Sequence, residues 1–213
     1  WERPHWYETN AGLAEGRDIP APGPWAERYW STTIGAEAQI TRECVALYDM
    51  SSLMRLEVTG PGAAAFLDRM TTGRAHRPPG AVSYCLMLDE RGRLRGDITV
   101  ARVHDDYFQV GVNSPLDLDW LRRHLPADAT VQVRDITPQT TCIGVWGPLA
   151  RDLVQPLADH DLTNDGLRYF RCARMHVGDV PVLALRVSYV GELGWELHAP
   201  FEQGARLWDV LAE

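Results

Sequence analysis

A chain of 213 residues, 45% hydrophobic and 23% charged, has ordinary globular composition and room for one or two cores. A net charge of −8 argues against a nucleic-acid surface, and cationic residues that are all arginine leave no lysine for Schiff-base or P-loop chemistry. No apolar run approaches the ~20 residues of a membrane helix, and Cys44, Cys85, Cys142 and Cys172 form no Cys-x-x-Cys pair, so zinc and thioredoxin-like sites are not expected.

Residues 1–24 are rich in proline, glycine and aromatics without a period, which predicts an extended arm packed on something else. The stretch 25–47 reads as an amphipathic helix entered near Thr32 and Thr33, with Ile34, Ala38 and Val45 set among Glu37, Arg42 and Glu43. Residues 48–54 follow as a loop. A strand at 55–60 ends in Gly60-Pro61, and a helix continues over 63–70. Strands are predicted at 82–88, 94–103 and 107–112. A helix over 115–125 has Ser114 as N-cap, Pro115 in its first position and Asp117 completing a capping box; a strand at 130–135 closes the unit.

The order then recurs. A strand at 142–147 ends in Gly147-Pro148, a helix spans 149–157, strands lie at 173–177, 180–189 and 194–198, and a helix spans 201–211. This repeat predicts an α+β fold of two split βαβ units with mainly antiparallel sheets. The expected organisation is an N-terminal arm (1–24), a discontinuous α+β subdomain (25–53 with 140–213) and an inserted α+β subdomain (54–139). The second unit lacks the closing strand of the first. That gap, with the start at Trp1, leads us to expect a piece of a longer chain.

Four stretches carry candidate chemistry. Gly60-Pro-Gly-Ala-Ala-Ala65 matches a dinucleotide-binding pattern, but no acid occurs from His76 to Leu88 where the ribose partner belongs, so Gly-Pro reads as a structural corner. Asp97 lies mid-strand beside Gly96, which leaves room for a ligand against the backbone; it is either a general acid/base or, by simple alternation, a solvent-facing residue alongside Thr99 and Ala101. Ser114 is explained by capping, which leaves Asn113 free to offer a donor and an acceptor. Arg186 to His198 reads as two strands about a turn hinged at Gly191 and Gly194. Its Glu192 and Glu196 either face solvent, or Glu196 grips the donor edge of a planar, nitrogen-rich ligand while Tyr189 packs on its face. The seven histidines show no metal-ligand spacing and are read as structural or surface residues.

Tyr48-Asp-Met-Ser-Ser52, Tyr84 in Val82-Ser-Tyr-Cys-Leu-Met-Leu-Asp89, Gly92-Arg-Leu-Arg-Gly-Asp97-Ile-Thr-Val100, Val112-Asn-Ser114, Val145-Trp-Gly-Pro148 and Tyr189-Val-Gly-Glu-Leu-Gly-Trp-Glu196 together resemble the glycine-cleavage T-protein (aminomethyltransferase) family. The match runs in order from about Glu37 to the end. The opening Trp1-Glu-Arg-Pro-His-Trp-Tyr7 resembles the segment that joins flavin and folate domains in dimethylglycine and sarcosine dehydrogenases. The resemblance implies a folate-binding, aminomethyltransferase-like fold that makes 5,10-methylenetetrahydrofolate from tetrahydrofolate and the one-carbon unit of an N-methyl amine or aminomethyl donor. Asp97 matches the family's catalytic aspartate, Tyr189 and Glu196 its pterin contacts, and Tyr84 and Asn113 positions near the folate.

The implied partners are a small-molecule amine, the folate, and a flavin oxidoreductase domain carrying FAD ahead of Trp1. No metal, nucleic acid or membrane is expected. The implied compartment is the cytoplasm, or the mitochondrial matrix in a eukaryote. A tetrahydrofolate-dependent demethylase and a non-catalytic folate-binding module are the alternatives. Two departures stand out: Gly96 precedes a single Asp97 where the family often has two adjacent aspartates, and the family's arginine-bearing segment and β-rich domain lie past the position of Glu213.

Overall fold

The strands form where apolar side chains alternate with polar ones, and the chain turns where glycine permits a backbone that other residues resist. In the computed structural model, which describes residues 6–21, 23, 31–189 and 191–213, this produces two five-stranded sheets. The first is built from β2 (Met54–Thr59), β3 (Val82–Leu88), β4 (Leu94–His104), β5 (Tyr107–Val112) and β6 (Gln132–Asp135), in the order β3-β4-β5-β2-β6. The second contains β1 (Ala46–Asp49), β7 (Thr140–Trp146), β8 (Cys172–Val177), β9 (Val180–Leu185) and β10 (Gly194–Pro200), in the order β8-β9-β10-β7-β1. The two orders superpose strand for strand, and the recorded strand pairings are antiparallel.

That correspondence corrects the expectation of a missing closing strand. The place that β6 takes beside β2 is taken beside β7 by β1, with Ala46 opposite Trp146 and Asp49 opposite Ile143. The gap in the sequence repeat is filled from the segment ahead of the first unit, and it carries no information about the chain's end. Tyr48 and Asp49 are therefore strand residues rather than loop.

The Gly-Pro corners are equivalent. Gly60 (φ 112°) and Gly147 (φ 140°) both occupy backbone that favours glycine, and a Cβ would lie 2.2 Å from the Thr130 carbonyl oxygen in one case and 2.3 Å from that of Cys44 in the other. A Cβ on Gly62 would meet Thr130 Oγ1 at 2.4 Å. The glycines of the dinucleotide-like pattern are thus used to seat residue 130.

Helices cover the outer face of each sheet. α2 (Ala63–Met70) and α3 (Pro115–Arg123) pack Phe66, Leu67, Leu118 and Leu121 against Leu56, Met87, Ile98 and Phe108. α4 (Ala150–Val154) and α5 (Gly204–Ala212) pack Val154, Leu207 and Leu211 against Val145, Val182, Trp195 and Leu197. Each such buried side chain contributes roughly 1.5–3 kcal/mol. The predicted capping box of α3 is present.

A third cluster, Val82, Ala101, Val103, Cys172, Leu183, Leu185 and Val187, joins the sheets at one end. There Val82 N donates to Phe170 O at 2.9 Å and Cys172 N to Gly80 O at 2.8 Å.

Other boundaries move. Within the predicted helix 25–47 the described part is α1 (Thr32–Glu43), capped by Ser31; residues 25–30 lie outside the described residues. In the arm, Glu8–Ala14 forms a 3-10 turn rather than extended chain, tied to α1 by Asn10 Nδ2 to Glu37 Oε1 at 2.8 Å. The strand predicted to reach Tyr189 stops at Leu185. Val187 N donates back to Leu185 O at 3.0 Å, a γ-turn that breaks the ladder, and the Arg186 guanidinium donates to Leu167 O. Residues 186–189 and 191–193 are therefore loop, not half of a tight hairpin.

Candidate functional site

Between the inner faces of the two sheets lies a cavity of about 510 Å³, and Tyr84, Asp97, Asn113, Tyr189 and Glu196 all line it. Strand alternation places the first half of the site. On β4, Gly96, Ile98 and Val100 are buried toward the helices, so Asp97 and Thr99 turn to the cavity, while Ala101 is buried between the sheets. Tyr84 on β3 pairs with Thr99, which brings its phenol beside Asp97. Tyr84 Oη donates to Asp97 Oδ2 at 3.2 Å, and Asn113 Nδ2 donates to Asp97 Oδ1 and to the Asp97 carbonyl, both at 3.0 Å. Desolvation and the adjoining Asp97 charge push the Tyr84 phenol above its usual range, so it remains a donor at neutral pH.

Asn113 is itself held. Its backbone N–H donates to Asp117 Oδ2 at 3.1 Å, as does that of Ser114. The space beside Gly96, expected for a ligand, belongs to this network: a Cβ there would lie 3.3 Å from Asn113 Nδ2 and 3.5 Å from Asp117 Oδ1. The glycine allows the protein's own amide to reach Asp97.

The second half of the site stands on β10 and the 186–193 loop. Glu196 and His198 point to the same face, and His198 Nε2 lies 3.1 Å from Glu196 Oε2. Beneath them Arg55 is 3% exposed, donating to Thr140 Oγ1 and to the carbonyls of Met50, Ser51, Leu53, Thr137 and Thr140. Burial lowers its pKa, an effect the nearby Glu196 charge opposes. Trp146 lies over Gly144, where a Cβ would be 2.1 Å from the ring, and its Nε1 donates to Val187 O at 2.9 Å, pinning the start of the loop. Farther along, Gly191 (φ 100°) and Gly194 (φ 157°) supply the predicted hinges, and Tyr189 stands 91% exposed at the cavity edge.

Arg55, Trp146 and His198 were not singled out from the sequence. Arg55 and Trp146 act through contacts with segments far along the chain. His198 carried a signal, its i,i+2 spacing from Glu196 on a strand. Tyr169 and Phe170 also border the cavity, with Phe170 at φ 57°, an uncommon conformation held by backbone bonds to Val82 and Arg186.

Cys142, Glu196 and His198 offer ligand atoms within 4.8 Å of one another. Two features oppose a cation there. Burial pushes the Cys142 thiol well up, and the guanidinium of Arg55 acts electrostatically on both Cys142 and Glu196. A larger groove of about 770 Å³ lies beyond Gln109 and His198, which border both spaces, but none of the five candidate residues lines it. Among the described residues no helix is long and apolar enough to cross a membrane.

Comparison with known proteins follows the same lines. The model of the GCVT N-terminal domain matches residues 1–213. The chain is 30% identical over 213 residues to the mitochondrial dimethylglycine dehydrogenase of Rattus norvegicus, covering 98% of this chain and 24% of that protein. It is 33% identical over 181 residues to an aminomethyltransferase of Chloroherpeton thalassium, covering 83% of this chain and 49% of that protein. It thus spans about a quarter of the one relative and half of the other. Among solved structures, aminomethyltransferase T of the glycine cleavage system from Bartonella henselae aligns with a TM-score of 0.72 at 22% identity, over 82% of this chain and 47% of that one. A chain of the heterotetrameric sarcosine oxidase from Corynebacterium sp. U-96 aligns with a TM-score of 0.61 at 18% identity, over 92% and 95%. The likeness to both is one of fold.

Proposed function

The chain belongs to the family of the GCVT N-terminal domain, and on that premise we propose that its cavity binds tetrahydrofolate and transfers to it a one-carbon unit from an N-methyl amine, giving 5,10-methylenetetrahydrofolate. The observation that carries this reading is the convergence of Tyr84, Asp97, Asn113, Tyr189 and Glu196, drawn from both sheets and two loops, on a single cavity.

The residues present suit the ligand. Glu196 offers carboxylate oxygens to the ring N–H and exocyclic amine of a pterin, a charge-assisted pair of acceptors. Tyr189, free of other packing, stacks on the ring face, which contributes roughly 0.5–1.5 kcal/mol beyond burial. Bound tetrahydrofolate supplies the nitrogen nucleophiles that take up the carbon. Asp97, held by Tyr84 and Asn113, presents a fixed negative charge to the cationic iminium form of the donor and orients the attacking nitrogen.

The dehydrogenase relatives support an N-methyl amine as donor and a flavin-bearing domain or partner as the source of its oxidation. On the same reading 25–53 with 140–213, and 54–139, are the two subdomains. The cytoplasm, or the mitochondrial matrix in a eukaryotic host, is the compartment.

The test is calorimetric titration of the full-length protein with 5-formyltetrahydrofolate. Wild type is expected to bind in the micromolar range and Glu196→Ala at least tenfold more weakly. Wild type that shows no heat of binding overturns the proposal. Binding without turnover of any N-methyl amine replaces it with a non-catalytic folate module, and turnover on sulfonium or ether methyl donors with a demethylase.

A further inference from the structure

We infer that His198 is a positioning residue for the Glu196 carboxylate, setting it in place before the ligand arrives; the inference rests on the folate reading above. Glu196 has little else to hold it. Its neighbours across the strands are Gly144 on β7 and Leu185 on β9, neither of which has a side chain able to hydrogen-bond. Gly144 is obligatory because the Trp146 ring covers it. Arg55 lies near enough to act electrostatically, but its donors are committed to carbonyls and to Thr140. Among the described residues, His198 Nε2 at 3.1 Å is the recorded hydrogen-bond partner of the Glu196 side chain.

The His198 ring is equally informative. Its side chain is 6% exposed, and buried Nδ1 has no partner. A ring that only filled space could be replaced by an aliphatic side chain, with no nitrogen left unpaired in the interior. Of its two nitrogens, the one in use is the one that meets the carboxylate. A contact with a carboxylate oxygen places the hydrogen on Nε2. The other neighbour of Nε2, Cys142 Sγ at 3.9 Å, is a thiol kept protonated by burial and does not compete as a charged acceptor. One oxygen of Glu196 is thereby tied down on the protein side, and its remaining acceptor capacity is directed into the cavity. Preorganisation of this kind lowers the ordering cost of binding.

The test uses the full-length protein, with His198→Gln, whose amide reaches the place of Nε2, and His198→Leu, which fills space without a donor. Calorimetry with 5-formyltetrahydrofolate should show binding at least tenfold weaker in His198→Leu and within threefold of wild type in His198→Gln. Steady-state kinetics should show the loss in KM for tetrahydrofolate, with kcat at saturating folate changed by less than threefold. If His198→Leu does not melt cooperatively, His198→Asn, whose amide falls short of Nε2, takes its place and should match the weak binder. Leu or Asn variants that bind like wild type while Glu196→Ala stays weak overturn this inference and leave the folate reading intact. Wild type that binds no folate defeats that reading and this inference with it.

Discussion

Asp97, the proposed catalytic aspartate, illustrates how little of a site's environment lies in the residue itself. A half-exposed aspartate on a strand is ordinary; two donors from two other elements, Tyr84 and Asn113, give it a fixed orientation with acceptor capacity left over. Asp97→Asn keeps the shape but removes the charge that the proposed mechanism sets against a cationic intermediate. It should lower kcat of the full-length protein by roughly 10²-fold or more with the melting temperature nearly unchanged. An Asn variant turning over at wild-type rate would remove Asp97 from the chemistry. Gly96→Ala probes the same network from behind. The added methyl crowds Asn113 Nδ2, so kcat should fall severalfold through a displaced amide while Asp97 itself is untouched. Neither Tyr84 nor Asn113 announces this role in the sequence, because their meeting with Asp97 depends on strand register.

At the level of elements, the Gly-Pro corners and the 186–193 loop behave oppositely. The corners are overdetermined. Gly147→Ala forces a Cβ into the Cys44 carbonyl at a φ of 140°, which strains the backbone whatever else moves. Its cost should exceed about 2 kcal/mol, read as a lower urea midpoint with an unchanged slope. At the start of the loop the Val187 carbonyl accepts from the Trp146 indole, beside the bonds that Arg186 makes to residues 167–171. Trp146→Phe removes the indole bond at a cost of about 1 kcal/mol and frees the segment carrying Tyr189. Faster proteolytic cleavage within 186–193, with little change elsewhere, is the expected readout. The sequence period read 180–189 as one strand, since Val187 and Tyr189 continue the alternation; the γ-turn at Leu185 depends on contacts that Arg186 makes with residues 167–171, which no local pattern contains.

Across the whole molecule, sheet two is assembled from both ends of the described chain, and this has a direct consequence. A variant that begins at Met50 lacks β1 and leaves the edge of β7 unpaired; it should self-associate more than the full chain in size-exclusion chromatography. Acid stability is also distributed. Asp89, Asp128, Asp159 and Asp161 lie below the usual aspartate range, through the Arg93 N–H, the Thr130 hydroxyl, the His176 N–H and the Thr163 N–H respectively. Groups depressed on folding contribute fully above the unfolded value of about 3.9 and lose that contribution as pH falls through the lowered folded values. Their share of stability should hold level from pH 7 to 5 and decline below about pH 4, visible in the urea midpoint.

Local chemistry written into the chain was enough to establish the repeated α+β pattern, both Gly-Pro corners, the capped helix at Ser114 and the family motifs, because backbone sterics, side-chain period and capping act over a few residues. The completion of sheet two by β1, the anchoring of the loop by Trp146, the Tyr84–Asp97–Asn113 network and the His198–Glu196 contact were settled by folding. In all but the last, the partners are distant in sequence, and the last acquired its meaning only when the neighbouring strands offered Glu196 no other support.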